Sequence, residues 1–333
     1  RVRVTGGALE AAQARRLSEL SRQFGSGSLH VTTRQDVQFH DVAIGDTPEI
    51  MRRLLDVGLT SKGGGGNTVR NVTACPYAGI CPAERFDVTP FARAVTEYLI
   101  PLVGSYNLPR KFKIAFSGCD ADCALARVND LGLIAAPRDG RPGFRVYAGG
   151  GMGTHSRAAD LLEEWLPADQ VIRTAEAARR LFDRHGDRSN KHRARLRFVF
   201  ERLGAEAAGA AFRQERDQLA PGEVPACAVP AAVREPAAGA TAPKEYEAEI
   251  RAGIRVVPQR QPGYVAVPIR LPLGLIGADD WDKMAGIAGE FSAERGFRTT
   301  RQQGLLLRFV PEDRLAALAG RLRTLSIDVL APS

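Results

Sequence analysis

Val69-Arg70-Asn71-Val72-Thr73-Ala74-Cys75-Pro76 runs on to Cys81, and Ser117-Gly118-Cys119 runs on to Cys123. Four of the five cysteines thus fall into two close pairs, with five residues inside the first and three inside the second. Thiolates bunched this way are more often metal ligands than disulfide partners. The flanks Thr73-Ala74-Cys75-Pro76 and Ser117-Gly118-Cys119 supply small or kinked backbone, so peptide N–H groups can approach bulky sulfur. An iron–sulfur cluster uses that access, because hydrogen bonds to its sulfurs help set its potential. Structural zinc is the alternative, although its first ligand pair usually stands roughly two to four residues apart.

Between the pairs lies Leu108-Pro109-Arg110-Lys111-Phe112-Lys113. On a strand Lys111 and Lys113 share one face with Phe112 opposite, which sets two ammonium groups over one anion. A solvated edge strand would carry the same residues. Beyond the second pair come Asn129-Asp130-Leu131-Gly132 and the triplet Gly149-Gly150-Gly151. Glycines after a strand allow close backbone approach to a ligand. Gly153 does not complete a dinucleotide fingerprint, so no NADPH or flavin site is expected.

Working outward, residues 1–57 read as a small α/β unit. It has a strand at Val2-Arg3-Val4, a helix over Ala8–Phe24, strands at Leu29–Thr33 and Val37–His40, and a helix at Pro48–Val57. The run Gly63 to Gly66 breaks regular structure. Residues 67–218 alternate strands and helices, with helices expected at Ala158–Trp165, Ala175–His185 and Ala194–Gln214. Residues 219–244 are rich in Pro and Ala and read as a linker, in which Cys227 is an incidental thiol. The remainder returns to α/β, with strands at Tyr264–Ile269 and Leu305–Phe309 and helices at Asp279–Arg295 and Glu312–Leu325. Thr32-Thr33-Arg34-Gln35 recurs there as Thr299-Thr300-Arg301-Gln302, each after a helix, which suggests a duplicated half-domain.

The 333 residues suit two or three domains, with ordinary hydrophobic (44%) and charged (25%) fractions. No apolar run approaches a membrane span and no secretory signal is expected. A segment upstream of Arg1 is expected to be absent from this sequence, since it does not open on Met. Free thiols fit a reducing, cytoplasmic compartment. Net charge of +8 points to an anionic substrate or an acidic redox partner. The basic residues are scattered without aromatic interleaving, which argues against nucleic acid. The five histidines are scattered too, and His40 reads as packed or hydrogen-bonding.

Taken in order, these segments resemble the sulfite and nitrite reductases that couple siroheme to a 4Fe–4S cluster. Thr33-Arg34-Gln35 with Gln38-Phe39-His40, Val69–Val72, the two cysteine pairs, Leu108–Lys113, Asn129–Gly132 and Gly149–Gly151 carry the match over about residues 1–200. The resemblance implies an α+β fold with ferredoxin-like half-domains flanking an α/β domain that binds siroheme and the cluster. The halves would be 1–60 and 245–333, the cofactor domain 61–218 and the linker 219–244. Cys75, Cys81, Cys119 and Cys123 would ligate the cluster, with Cys123 bridging to siroheme. Arg34, Arg70, Lys111 and Lys113 would surround the substrate anion. Arg34, Gln38, Arg70, Asn71 and Gly149–Gly151 would contact siroheme, whose carboxylates need fixed cations.

The activity so implied is six-electron reduction of sulfite to sulfide, with nitrite to ammonia as the alternative. Sulfite is preferred because nitrite-type relatives tend to have Trp-Asn where this chain has Phe112-Lys113, and a second ammonium suits a dianion. Ferredoxin or a separate flavoprotein would donate the electrons. Two further readings are a zinc-stabilised basic binding module and a cofactor-binding half that serves mainly as scaffold. Full-length relatives carry two half-domain and redox repeats, with these lysines in one and the cysteines in the other. Here both lie in the first, so a second repeat or a partner chain is expected to complete the enzyme.

Overall fold

The turn at Thr32–Gln35 occurs twice, one residue out of step with the sequence echo. In the first copy Gln35 N–H donates to Thr32 O (2.9 Å), Thr32 N–H to Asp36 O (2.9 Å) and Asp36 N–H to Thr32 Oγ1 (3.1 Å). In the second, Gln303 N–H donates to Thr300 O (3.1 Å), Thr300 N–H to Gly304 O (2.9 Å) and Gly304 N–H to Thr300 Oγ1 (3.2 Å). Gln35 (φ 61°) and Gln303 (φ 64°) both sit in the left-handed region. Thr32 therefore matches Thr300, and the counterpart of Arg34 is Gln302, not Arg301. The extra residue lies after the preceding helix.

The computed structural model describes residues 1–229, 233–244 and 249–326, so parts of the expected linker and the end of the second half-domain lie outside the described residues. Two units emerge. One comprises Arg1–Lys62, Ile80–Pro82 and the described residues from Gly239; the other comprises Gly63–Gly79 and Ala83–Ala238.

In chain order the first unit begins with β1 (Ala8–Glu10), α1 (Ala11–Phe24), β2 (Ser28–Val31), β3 (Val37–Phe39) and α2 (Thr47–Leu55). Helix α1 buries Ala14, Leu17, Leu20 and Ser21 at helical spacing, and its start is fixed by Glu10 N–H donating to Gln13 Oε1 (3.1 Å). Leu9, expected on that helix, is buried from β1 instead. Val2 and Arg3 form only isolated bridges, to Val37 and Thr60.

The second unit holds β4 (Val69–Ala74), α3 (Thr89–Leu99), β5 (Phe112–Ser117), β6 (Leu131–Ala135), β7 (Gly143–Ala148), β8 (Asp160–Pro167), α4 (Val171–His185), α5 (Leu196–Leu203) and α6 (Ala205–Asp217). The strands form one sheet in that order. β4, β5 and β6 run parallel, and β7 and β8 are antiparallel additions. Phe86, Phe91, Phe116 and Phe144 meet at ring-centroid distances of 5.0–5.8 Å to build the core on one face. The run Ala158–Trp165 has helical spacing of Leu161, Leu162, Trp165 and Leu166, yet it forms most of β8. Pairing along the open edge of β7 outweighs local propensity here. The single helix expected over Ala194–Gln214 divides at Gly204 (φ +80°) into α5 and α6. Residues beyond 218 also pack in this unit: Cys227 is buried and its N–H donates to Asp169 O (2.9 Å), while Arg234 N–H donates to Arg85 O (2.9 Å).

The chain then returns to the first unit with β9 (Glu249–Arg251), β10 (Ile254–Pro258), β11 (Tyr264–Ile269), β12 (Leu275–Gly277), α7 (Ala278–Phe291), β13 (Gly296–Thr299), β14 (Leu305–Pro311) and α8 (Leu315–Leu322). Its sheets are β1-β13-β14-β11-β10-β9 and β12-β2-β3. Each half lends an edge to the other: β1 pairs β13 (Ala8 with Arg298) and β12 pairs β2 (Leu275 with His30). Gly7 and Gly274 are the matching close approaches. A Cβ on Gly7 would stand 2.3 Å from Thr299 O, and one on Gly274 2.7 Å from Val31 O. Trp281 of α7 is fully buried, donates from Nε1 to Ala14 O (3.0 Å) and meets Phe297 edge-on.

Candidate active site

Cys75 follows the last residue of β4, and Cys119 stands just beyond β5. These strands are parallel neighbours with Ala74 opposite Phe116, so residues far apart in sequence arrive at the same carboxyl end of one sheet. Cys75 N–H donates to Phe116 O (3.0 Å), which fastens the two loops together. Carboxyl ends of parallel strands are where open α/β sheets place ligands.

The turn carrying Cys119 and Cys123 is built around Asp122, which is buried. Its Oδ1 accepts Ser117 Oγ–H (2.6 Å) and Ala126 N–H (2.7 Å), and its Oδ2 accepts Arg127 N–H (3.2 Å). Asp122 and Leu125 both take positive φ (50°), a conformation these contacts hold in place. The result brings the Cys123 thiol within hydrogen-bonding reach of Cys119 and Cys75. Those two bonds, followed by burial, hold its pKa well above the ordinary thiol range. Such thiols keep their protons until a metal replaces them. Cys75, Cys81 and Cys119 are buried, Cys123 is partly exposed, and none of them is in a disulfide. Cys81 belongs to the short segment Ile80–Pro82 of the first unit, where Arg260 N–H donates to Ile80 O (2.8 Å). Cys227 is also buried, and its thiol is pushed up to about 11 by burial and by Asp169.

At the amino end of the same sheet stand the cations. Phe112 is fully buried and stacks on Phe182 at 5.8 Å, while Lys111 and Lys113 are partly exposed. Arg70, near the start of β4, donates from Nη2 to Gly64 O (2.7 Å), and Asn71 beside it is buried. Burial, then Arg195, Arg70 and Arg110, lower the Lys111 pKa, with Asp130 pulling the other way. Four cations thus crowd one acid. That excess of positive charge is what an anionic ligand would relieve.

Lys113 and Ser117 are separated by about 13 Å of strand. Over that stretch Ala115 and Ile134 pack against Ala124, Ala126 and Tyr147 in a closed small core. Within this unit the lysines therefore sit at the opposite end of the sheet from the thiols of Cys75, Cys119 and Cys123.

Gly149–Gly151 follow β7 at the cationic end, where Gly149 N–H donates to Asp130 O (3.0 Å). Their missing side chains are already accounted for by the protein. A Cβ on Gly149 (φ +79°) would stand 2.5 Å from the Phe200 ring, one on Gly150 2.8 Å from Asn129 O, and one on Gly151 2.8 Å from Arg197 Nη1. Arg34 and Gln38 belong to the first unit. Arg34 N–H donates to Thr32 Oγ1 (3.3 Å), and Gln38 Oε1 accepts Arg1 Nη2–H (2.7 Å). His40 stacks on His30 at 5.7 Å, as packing residues do.

Sequence reasoning missed Arg195 and Arg197. The signal was Lys191-His192-Arg193-Ala194-Arg195-Leu196-Arg197, with cations at alternate positions running into the start of a helix. It also quoted Asp130 without giving it a task.

The donor set at the carboxyl end fits a 4Fe–4S cluster: soft, shielded thiols converge with small backbone around them. Among the described residues no three His, Cys, Asp or Glu side chains surround the position of a single metal ion. The thiols meet in hydrogen-bonding contact rather than around such a point. The cationic end fits the carboxylates of siroheme in charge.

Comparisons with known proteins cover the whole chain. The family model described as the nitrite and sulphite reductase 4Fe-4S domain matches residues 65–218. The nitrite/sulfite reductase ferredoxin-like half domain matches 1–57 and 257–325. The ferredoxin–nitrite reductase of Synechococcus elongatus is 33% identical over 96% of this chain and 60% of its own length. The chloroplastic ferredoxin–nitrite reductase of Arabidopsis thaliana is 30% identical over 96% of this chain and 53% of its own. The solved structure of the Mycobacterium tuberculosis NirA protein superposes on all of this chain and 57% of that one, with a TM-score of 0.81 and 28% identity. Dissimilatory sulfite reductase I shares the fold (TM-score 0.56, 14% identity). The chain spans just over half the length of the first two relatives.

Proposed function

Because this chain belongs to the nitrite and sulphite reductase family, we propose that it carries the cluster-binding part of an enzyme that reduces nitrite to ammonia with six electrons. One observation carries the reading: the thiols of Cys75, Cys119 and Cys123 converge at the carboxyl ends of two adjacent parallel strands. They would hold three corners of the 4Fe–4S cluster, and the resemblance assigns the fourth to Cys81 and the bridge toward siroheme to Cys123. When bound, this cofactor pair would relay the donor's electrons and offer the anion a place to bind.

Nitrite is favoured over the sulfite expected from Lys113. Relatives matching 96% of the chain are named ferredoxin–nitrite reductases, and they support nitrite as substrate and ferredoxin as donor. A net charge of +8 suits an acidic donor. Arg70, Lys111 and Lys113, with Arg34 from the first unit, would hold the negative charge of the anion and of siroheme's carboxylates. The Lys111 Nζ, its pKa lowered by burial and by three guanidinium groups, can release a proton more readily than an ordinary lysine. Gln38, Asn71 and Gly149–Gly151 are the further proposed siroheme contacts. Completion of the cationic end by a second redox repeat or a partner chain is part of the same reading.

Residues 1–60 and 245–333 would be paired half-domains of one ferredoxin-like unit, with 61–218 inserted between them. Among the described residues no helix is long and apolar enough to cross a membrane. The unbridged thiols favour a cytoplasmic setting.

Protein purified without air tests this directly. It is expected to contain five iron and four sulfide per chain, to show a haem-type absorption spectrum that shifts with nitrite, and to form ammonia from nitrite with reduced viologen. Colourless protein holding one zinc per chain would end the reductase reading.

A further inference from the structure

Three segments of the second unit meet at one residue. Asp130, at the entry to β6, is fully buried. Its Oδ2 accepts the backbone N–H of Lys113 (2.8 Å), which extends the β5–β6 ladder by one bond through a side chain. The same carboxylate receives the fork of Arg195, from Nη2 to Oδ2 at 2.8 Å and from Nε to Oδ1 at 3.2 Å. Its backbone carbonyl accepts Gly149 N–H (3.0 Å). Arg195 is the residue that opens α5, so the carboxylate also fixes the start of that helix.

We propose that Asp130 is the positioning residue of the cationic site, binding no anion itself but locking Arg195, the Lys111–Lys113 strand end and the glycine turn into one fixed arrangement. The proposal rests on reading those cations as the anion-binding groups. A bidentate guanidinium bond fixes both distance and plane, which a lone charge contact would not. A buried carboxylate with three hydrogen bonds from two segments resists displacement by an incoming anion.

Charge gives the proposal its sharpest test. Lys111 faces Arg195, Arg70 and Arg110, and Asp130 is the one acid acting on it among these neighbours. If Asp130 were merely a nearby negative charge, removing it would tighten anion binding. Positioning demands the opposite.

Asp130→Asn keeps an acceptor for Lys113 N–H but loses the pairing with Arg195. Nitrite KM is expected to rise about tenfold with a smaller change in kcat, despite the added positive charge. Reductive ¹³C-methylation of lysines gives a readout independent of any cofactor. The Lys111 signal should titrate at lower pH in Asp130→Asn and at higher pH in Arg195→Gln. Asp130→Glu should restore part of the nitrite KM. An unchanged or lower KM in Asp130→Asn, together with an unmoved Lys111 titration, would overturn the proposal. If the Lys111 signal moves as a lost charge requires and nitrite KM falls, Asp130 acts as a charge alone and the proposal is overturned. If it moves and KM is unchanged, the assignment of these lysines to the anion is lost and the proposal with it. Should Asp130→Asn not fold, Arg195→Lys decides: it keeps the charge and loses the fork, so nitrite KM should rise, and an unchanged KM would overturn the proposal.

Discussion

Gln35 and Thr299 hold each other twice across 264 residues of sequence. Gln35 Nε2 donates to Thr299 O (3.1 Å), and Thr299 Oγ1 donates to Gln35 O (2.7 Å). The two halves of the first unit are clasped at this point. The second turn answers only in part, with Gln303 Nε2 donating to Val31 O (3.1 Å), because Val31 stands where Thr299 would and has no hydroxyl.

Thr299→Val makes the two turns alike while keeping side-chain shape. It leaves the buried carbonyl of Gln35 without its hydroxyl donor. The expected loss is about 1–2 kcal/mol, read as a lower urea midpoint with an unchanged slope. An unshifted midpoint would show that the clasp adds nothing.

Asp36 predicts a pH dependence. Burial pushes its carboxyl from 3.8 up to about 6, against the pull of Arg3, Arg1 and Arg34. Between those values the folded protein keeps a proton that the unfolded chain has released, so stability falls as pH rises through the window. Asp36→Asn removes the effect. Its advantage over the parent should be absent below the window and reach roughly 3 kcal/mol above it. Urea titrations on both sides of the window measure the gap, and a gap independent of pH would refute the prediction.

Asp122 predicts a loading defect. Asp122→Ala withdraws the acceptors for Ser117 Oγ–H, Ala126 N–H and Arg127 N–H, so the turn with Cys119 and Cys123 should loosen. Stability is expected to fall by about 2 kcal/mol, with iron and sulfide content dropping by at least half. Cys227→Ser, remote from that turn in sequence and packed beside Asp169, should leave iron content unchanged.

Lys113→Asn separates the two substrates. Losing an ammonium should cost a dianion more than a monoanion, so kcat/KM is expected to fall roughly tenfold for sulfite and only a few-fold for nitrite. Equal losses for both anions would count against a charge-selecting role for this residue.

What the sequence disclosed was local. The two cysteine pairs and the Arg-Lys-Phe-Lys run are short motifs whose chemistry does not depend on distant partners. That Lys113 and Cys119 stand at opposite ends of one strand could be read from their spacing. The closed packing between them was hidden, because it depends on how the crossover through Ala124 and Ala126 packs on Ala115. The helix expected at Ala158–Trp165 failed for a related reason: the pattern was helical, but β7 offered an edge that only the fold supplies. The repeat of Thr-Thr-Arg-Gln was visible and yet misaligned. Gly25–Gly27 join α1 to β2, whereas the longer Ser292–Arg295 join α7 to β13, and that one residue moves Arg301 out of the place of Arg34. The pairing of Asp130 with Arg195 spans 65 positions and leaves no periodic trace.

The exchange of edges between the halves of the first unit has a consequence in time. On a ribosome adding roughly 5–20 residues per second, the partner of Gln35 emerges roughly 13–50 s after it. Leu9, Leu17, Leu20 and Leu29 must wait through that interval without the α7 face they will share a core with. The second unit, nearly contiguous in the chain, can close within it. Nascent chains should therefore pass through a stage with a finished cofactor domain and an open leading segment, and that segment is where a chaperone would be needed.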